Sequence, residues 1–371
     1  MTDHLHLGVA LDGYGWHPQA WRATLARASR QPATPSVLSG RYWAGLAATA
    51  ERGLLDFLTI DDTLMPQPGR RERIDPRRLA GRADAVLIAA RIAPATQHIG
   101  LIPVATVTHT EPFHVSKAIA TLDFVSHGRA GWQPRVSVTT HEAALFGRRD
   151  GSQIPLFDEA AEYVDVVRRL WDSWEDDAII RDVATGRYVD VAKLHYIDFA
   201  GKYFSVKGPS ITPRPPQGQP VVAALAHVGP AYEFAAAGAD VVFVTPTDAT
   251  AVSAILNEVR AAGGAGLKVL ADVVVSFQGG DVLGDFRSDA LIFTGSATEL
   301  VDMLLDWQRL GIDGARLRPA VNAADLPVIV DEVVPLLQRA GRFRTGYQQG
   351  ETLRARLQLP VASNRYAAVN R

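Results

Sequence analysis

The chain has 371 residues, 47% hydrophobic and 21% charged, with a formal net charge of −2 and no cysteine. A charge so near zero gives no basis for binding nucleic acid or an anionic membrane, and without cysteine there are no disulfides, thiolate metal sites or cysteine nucleophiles. The opening MTDHLHLGVALDG lacks a basic-then-apolar leader, and no apolar run approaches the ~20 residues that span a bilayer, so the expected setting is the cytoplasm.

Taken in chain order, short apolar runs alternate with longer amphipathic ones. LHLGVAL (5–11), LLDFLTI (54–60), HIGLIPVAT (98–106) and RAGWQPRVSV (129–138) read as strands, followed by helical patterns over 39–52, 76–92, 112–126 and 157–174. PVVAAL (220–225), DVVFVT (240–245), LKVLADVVVSF (267–277) and GARLRP (314–319) read likewise, followed by helices over 229–238, 247–262, 296–310 and 325–339. Several strands are apolar on consecutive residues, which suits a parallel sheet covered on both faces. The fourth is the weakest, because Pro134 interrupts its ladder. Ser39 and Gly53 bracket the first helix, and Ser296 with Glu299 has capping-box spacing.

Eight strand–helix alternations predict a closed α/β barrel of the (β/α)8 type in one domain, 1–371. No G-x-G-x-x-G follows the first strand, which disfavours a dinucleotide-binding open sheet. An insertion over the C-terminal face is expected at about 135–219, and a basic tail at 341–371. Within it, 175–219 is polar and turn-rich but keeps Tyr188, Tyr196, Phe199, Tyr203 and Phe204, so it reads as an ordered excursion.

In such a barrel the chemistry lies at the C-terminal strand ends. These carry Asp12, Trp16 and His17, then Asp61-Asp62-Thr63, Thr106-Val107-Thr108-His109, Trp132-Gln133 and the turn 226–230. The aspartate pair could bind a metal or act as a base, or one could cap the next segment while the other is solvated. His17 is a candidate base or substrate donor, or a packed loop histidine. The scattered histidines form no metal-binding motif, and no G-x-S-x-G marks a hydrolase. WDSWEDD (171–177) reads as a helix end and turn. LAHVGPAYEF, opening the helix after the fifth strand, is placed like an anion site but lacks the usual Ser, Thr or Gly pattern.

Longer segments carry a resemblance. TLDFVSHGRAGWQ (121–133) is similar to the "SLDHLSGGRAGWN" signature of bacterial luciferase-like flavin monooxygenases, in the branch of nitrilotriacetate, EDTA and dibenzothiophene-sulfone monooxygenases. EPFHVSKAIATLD (111–123), the stretches 157–179 and 195–221, and ETLRARLQLPVASNRYA (351–367) resemble the same branch. The resemblance implies reduced FMN as cosubstrate, O2 activated on the flavin and a small organic substrate. It also implies a separate NAD(P)H:flavin reductase and a homodimer or homotetramer.

It further implies Asp62, Thr106 and Val107 beside the flavin and His17 as the catalytic residue on the substrate side. Other positions depart from the pattern. Gln133 replaces the "WN" asparagine. Leu156-Phe157 replaces an Arg-Tyr pair, and Val228 replaces the serine of the phosphate turn, beside His227 and Gly229. His227, Arg135, Arg148 and Arg149 are the candidate replacements. The departures leave two alternatives to FMN monooxygenation: use of another flavin such as a deazaflavin, and a non-catalytic homologue without flavin.

Overall fold

The computed structural model describes residues 4–28, 36–67, 74–150, 156–277 and 286–367. All eight expected strands form: β1 (His6–Leu11), β2 (Phe57–Ile60), β3 (Gly100–Thr106), β4 (Gly131–Arg135), β5 (Val221–Leu225), β6 (Val241–Val244), β7 (Lys268–Ser276) and β8 (Gly314–Pro319). Each pairs in parallel with its neighbours, and β1 closes on β8 through the register His6↔Gly314. The result is a closed (β/α)8 barrel. Closure demands close approach at Gly314, where a Cβ would lie 1.9 Å from His6 O.

Pro134 is tolerated because the β4–β5 ladder pairs only Gly131 and Trp132, and so ends before it. A short strand the sequence reading missed, Leu291–Thr294, adds to the far half of β7.

Among the described residues, the helices that follow the strands around the barrel are α1 (Gly40–Arg52), α2 (Ala85–Ile92), α3 (Pro112–Val125), α4 (Leu156–Asp172), α5 (Gly229–Gly238), α6 (Ala249–Ala261), α7 (Ala297–Leu310) and α8, which runs from Asn322 to Arg339 through a π-turn at Ile329–Val333. Ser39 caps α1, and Ser296 with Glu299 forms the expected capping box of α7. The second helix is shorter than the expected 76–92. Gly81 takes φ +82, and Asp84 caps the true start by accepting Leu87 N at 2.9 Å.

Outward strand residues such as Leu7, Leu58, Trp132 and Val242 form one core with the helices. Inward residues Phe57, Ile102, Val221 and Phe243 fill the N-terminal half of the barrel together with Leu353 and Leu357 of the tail. The tail is therefore a plug. Leu353 N donates to Gly128 O (2.9 Å), Arg354 Nε to Gln219 O (2.9 Å) and Arg356 Nη1 to His98 O (2.6 Å), each acceptor just preceding a barrel strand.

The expected insertion divides between the two ends of the barrel. Residues 136–150 follow β4 at the C-terminal rim and include the short helix Thr140–Phe146. Residues 173–219 leave from the far end of α4 and climb its outer side. There Glu162 accepts the amides of Lys202, Tyr203 and Phe204 at 2.9, 2.8 and 2.7 Å. In WDSWEDD, Trp171 Nε1 donates to Ser116 O and Trp174 Nε1 to Ser210 O, as a helix end and turn would.

Candidate active site

The loop after β1 folds back onto the end of β8. Trp16 N donates to Pro319 O (3.0 Å) and His17 N to Ala320 O (2.9 Å). Gly15 is required there: its φ is +142, and a Cβ would lie 2.3 Å from Ala320 O. His17 Nδ1 accepts Gln19 N at 3.1 Å, which leaves a neutral ring its proton on Nε2, and the ring meets Phe286 edge-on at 5.4 Å. Trp16, His17, Trp43 and Leu79 wall a cleft that opens to solvent.

Acids cluster at the ends of β1 and β2. Arg82 lies between Asp12 (3.4 Å) and Asp61 (3.2 Å). Burial pushes the Asp12 carboxyl up to about 6 against the pull of Arg82, with Asp61 and Asp62 adding to the rise. Asp62 spends both oxygens on backbone, accepting Thr63 N at 2.7 Å and Ala85 N at 3.0 Å. It thereby ties the β2 loop to the start of α2, and burial raises its pKa. Of the two readings for this pair, the structure gives the cap to Asp62 and an ion pair to Asp61. No group of three or more potential ligands that could hold a metal occurs among the described residues.

Thr106 ends β3 on the inner face and is buried, whereas buried Val107 turns into the core between barrel and helices. Gln133 is buried inside the barrel, where its Oε1 accepts Arg316 Nη1 at 2.7 Å. These positions and His17 lie at the barrel mouth. Phe157 does not: it sits between α4 and α5, its ring 6.1 Å from Phe234.

The turn at 227–229 is exposed. Val228 caps α5 in extended conformation, with no side-chain cap bond. Pro230 lacks an N–H, and those of Ala231 and Tyr232 already return to Val228 O at 2.9 and 3.1 Å. The three candidate arginines are engaged elsewhere: Arg135 with Glu142 (3.3 Å), Arg148 with Glu111 (3.6 Å) and Arg149 with Glu159 (2.6 Å). Of the candidate replacements, only His227 stands in the turn itself.

Two clusters escaped the sequence reading. Glu142, buried in the rim helix, accepts Thr63 Oγ1, Leu64 N and Ser137 Oγ and so joins the β2 and β4 loops. Inside the barrel, Arg316 forms a fork on Asp272 (2.8 and 2.7 Å) and lies over Phe243 at 3.9 Å, and Arg318 also donates to Asp272. Burial opposes ionisation of Asp272, but the two guanidiniums outweigh it and hold the carboxyl below its usual range. The signal was available: charges at every second position of apolar strands face one side together.

Comparison with known proteins gives a consistent picture. The family model described as luciferase-like monooxygenase matches residues 23–280. The chain is 30% identical to the N-acetyl-S-(2-succino)cysteine monooxygenase of Bacillus subtilis (strain 168), over 98% of each chain. It is 30% identical to nitrilotriacetate monooxygenase component A of Aminobacter aminovorans, again over 98% of each. The solved EDTA monooxygenase from Chelativorans sp. BNC1 superposes with a TM-score of 0.81 at 23% identity, covering 96% of this chain and 98% of that one.

Proposed function

Because the chain belongs to the luciferase-like monooxygenase family, whose members are flavin-dependent oxidoreductases, we propose that it oxygenates a small organic substrate with O2 and reduced FMN. The flavin comes from a separate NAD(P)H:flavin reductase, and the enzyme works as a homo-oligomer in the cytoplasm. The observation that carries this reading is the mouth of the barrel. It offers a walled cleft with a few polar groups, as suits a reaction whose hard chemistry belongs to a cofactor.

Reduced flavin, when bound, supplies the oxygen chemistry; the chain binds, orients and excludes water. Thr106 and Gln133 border the ring end, and Asp62 and Val107 fix the loops around it. Trp16 shields the cleft, and His17 lines its substrate side. These residues fit a flavin ring.

The phosphate end fits less well. Phe157, Val228 and Gly229 bring no charged or hydroxyl group, and His227 alone replaces an arginine, a tyrosine and a serine. Each such charge-assisted bond is worth about 1.5–3 kcal/mol, so the chain should distinguish FMN from riboflavin weakly. That turn also favours a second reading, a homologue that has given up flavin. Anaerobic titration with reduced FMN, riboflavin and a deazaflavin decides between them. Binding of any form at micromolar levels is expected, and no binding at tens of micromolar would overturn the flavin reading.

A further inference from the structure

Arg318 keeps unused donors inside the barrel. Its side chain is 9% exposed, and its one ion-pair partner among the described residues, Asp272, is fully buried and already forked by Arg316. Two guanidiniums thus share a single carboxylate. Arg318 spends only Nη2 on Asp272; Nε is buried without a partner, and Nη1 makes no bond to any described residue. The other carboxylates of the mouth are bonded elsewhere: Asp12 and Asp61 to Arg82, and Asp62 to two amides. The indole of Trp16 covers the guanidinium at 4.4 Å.

A second unsatisfied group lies beside it. Arg318 is level with Val274 of β7, and Ser276 follows two residues along the same inward face. Its hydroxyl is buried and also lacks a partner. A buried guanidinium N–H and a buried hydroxyl left without partners are each unfavourable without a ligand. A guanidinium with unused N–H donors suits a carboxylate in charge and hydrogen bonding.

We infer that Arg318, assisted by Ser276, is a specificity-determining contact that takes a carboxylate of the substrate under Trp16. This rests on the reading of the barrel mouth as the place of reaction, and it names a substrate class: small organic acids rather than neutral hydrocarbons.

Succinate and its neutral isostere succinamide test this by calorimetry on the full chain without flavin. Succinate should bind at least ~10-fold more tightly than succinamide. Arg318→Met, which keeps the volume, should abolish the difference, and Ser276→Ala should reduce it a few-fold. If Arg318→Met fails to fold, Arg318→Lys serves, retaining charge without the fork and part of the preference. Equal binding of the two probes, or a preference that survives Arg318→Met, overturns the inference. Reduced FMN is titrated on the same proteins. A ~10-fold loss of flavin affinity in Arg318→Met, with succinate binding unchanged, would assign the guanidinium to the flavin and also overturn it. Failure of the wild type to bind any flavin would defeat the proposed function and leave the succinate result standing.

Discussion

Restoring one donor to the turn before α5 tests where a flavin phosphate would lie. Val228→Ser places a hydroxyl at a position 48% exposed, with backbone already extended as a cap requires. The new oxygen can accept a helix amide while its proton points outward. As a cap alone the change should add about 1 kcal/mol of stability. Over a chain of 371 residues, unfolding entropy near 2.1 cal/mol/K per residue makes that a rise of roughly 1 °C in Tm. If a phosphate sits at this turn, the hydroxyl adds a bond worth about 1.5–3 kcal/mol, which is a ~10- to 150-fold gain in affinity. The gain must fall on reduced FMN and not on reduced riboflavin, which lacks the phosphate. The assay is anaerobic titration of both flavins on wild type and variant, reported as the ratio of their Kd values. A higher Tm with an unchanged ratio would refute the placement, because the hydroxyl would then be present and unused.

Other expectations follow from the buried acids. Asp272→Ala removes the carboxylate that Arg316 and Arg318 share and should cost about 3–5 kcal/mol, seen as a Tm lower by roughly 4–6 °C; a smaller loss than for Arg318→Met would contradict that shared pairing. Asp12 has a folded pKa of about 6, above its unfolded value near 3.9. Its ionisation therefore opposes folding, and its contribution to stability is greatest below pH ~4 and declines as pH rises through 6. Asp12→Asn should flatten urea-unfolding stability across that window by an amount on the order of 3 kcal/mol; an unchanged slope would assign the pH dependence to other groups, Asp123 (also about 6) first among them. Asp62→Ala frees two amides and should cost about 1–3 kcal/mol while lowering flavin affinity or turnover with the fold intact. Full activity in that variant would remove Asp62 from the site.

The barrel was legible because each of its strands is a short apolar run between helical patterns, a local signal at every step. What escaped was long-range. Pro134 looked disruptive because the sequence does not say that the β4–β5 ladder stops two residues earlier. The start of α2 was misplaced because Asp84 resembles any other polar residue of a surface helix until its bond to Leu87 N is seen. Asp62 was found by position, but its two backbone bonds depend on where α2 begins. Arg316 and Arg318 were visible as an alternating pattern in GARLRP, yet pairing them with Asp272 requires β7 and β8 as neighbours. The turn at 227–229 was placed correctly, and its isolation from Arg135, Arg148 and Arg149 could be learned only from where their glutamate partners stand.

The plug formed by Leu353 and Leu357 sets an order of events at birth. These side chains complete the apolar filling against Phe57, Ile102, Val221 and Phe243, and β1 has no partner on one side until β8 exists. During synthesis at roughly 5–20 residues per second, the N-terminal strands emerge many seconds before the segments that cover them. Through that interval an open sheet with an unfilled floor faces solvent, so the nascent chain should depend on chaperones until residues beyond 357 leave the ribosome. A bulky fusion placed close behind the plug would prolong that exposure and lower the yield of folded protein.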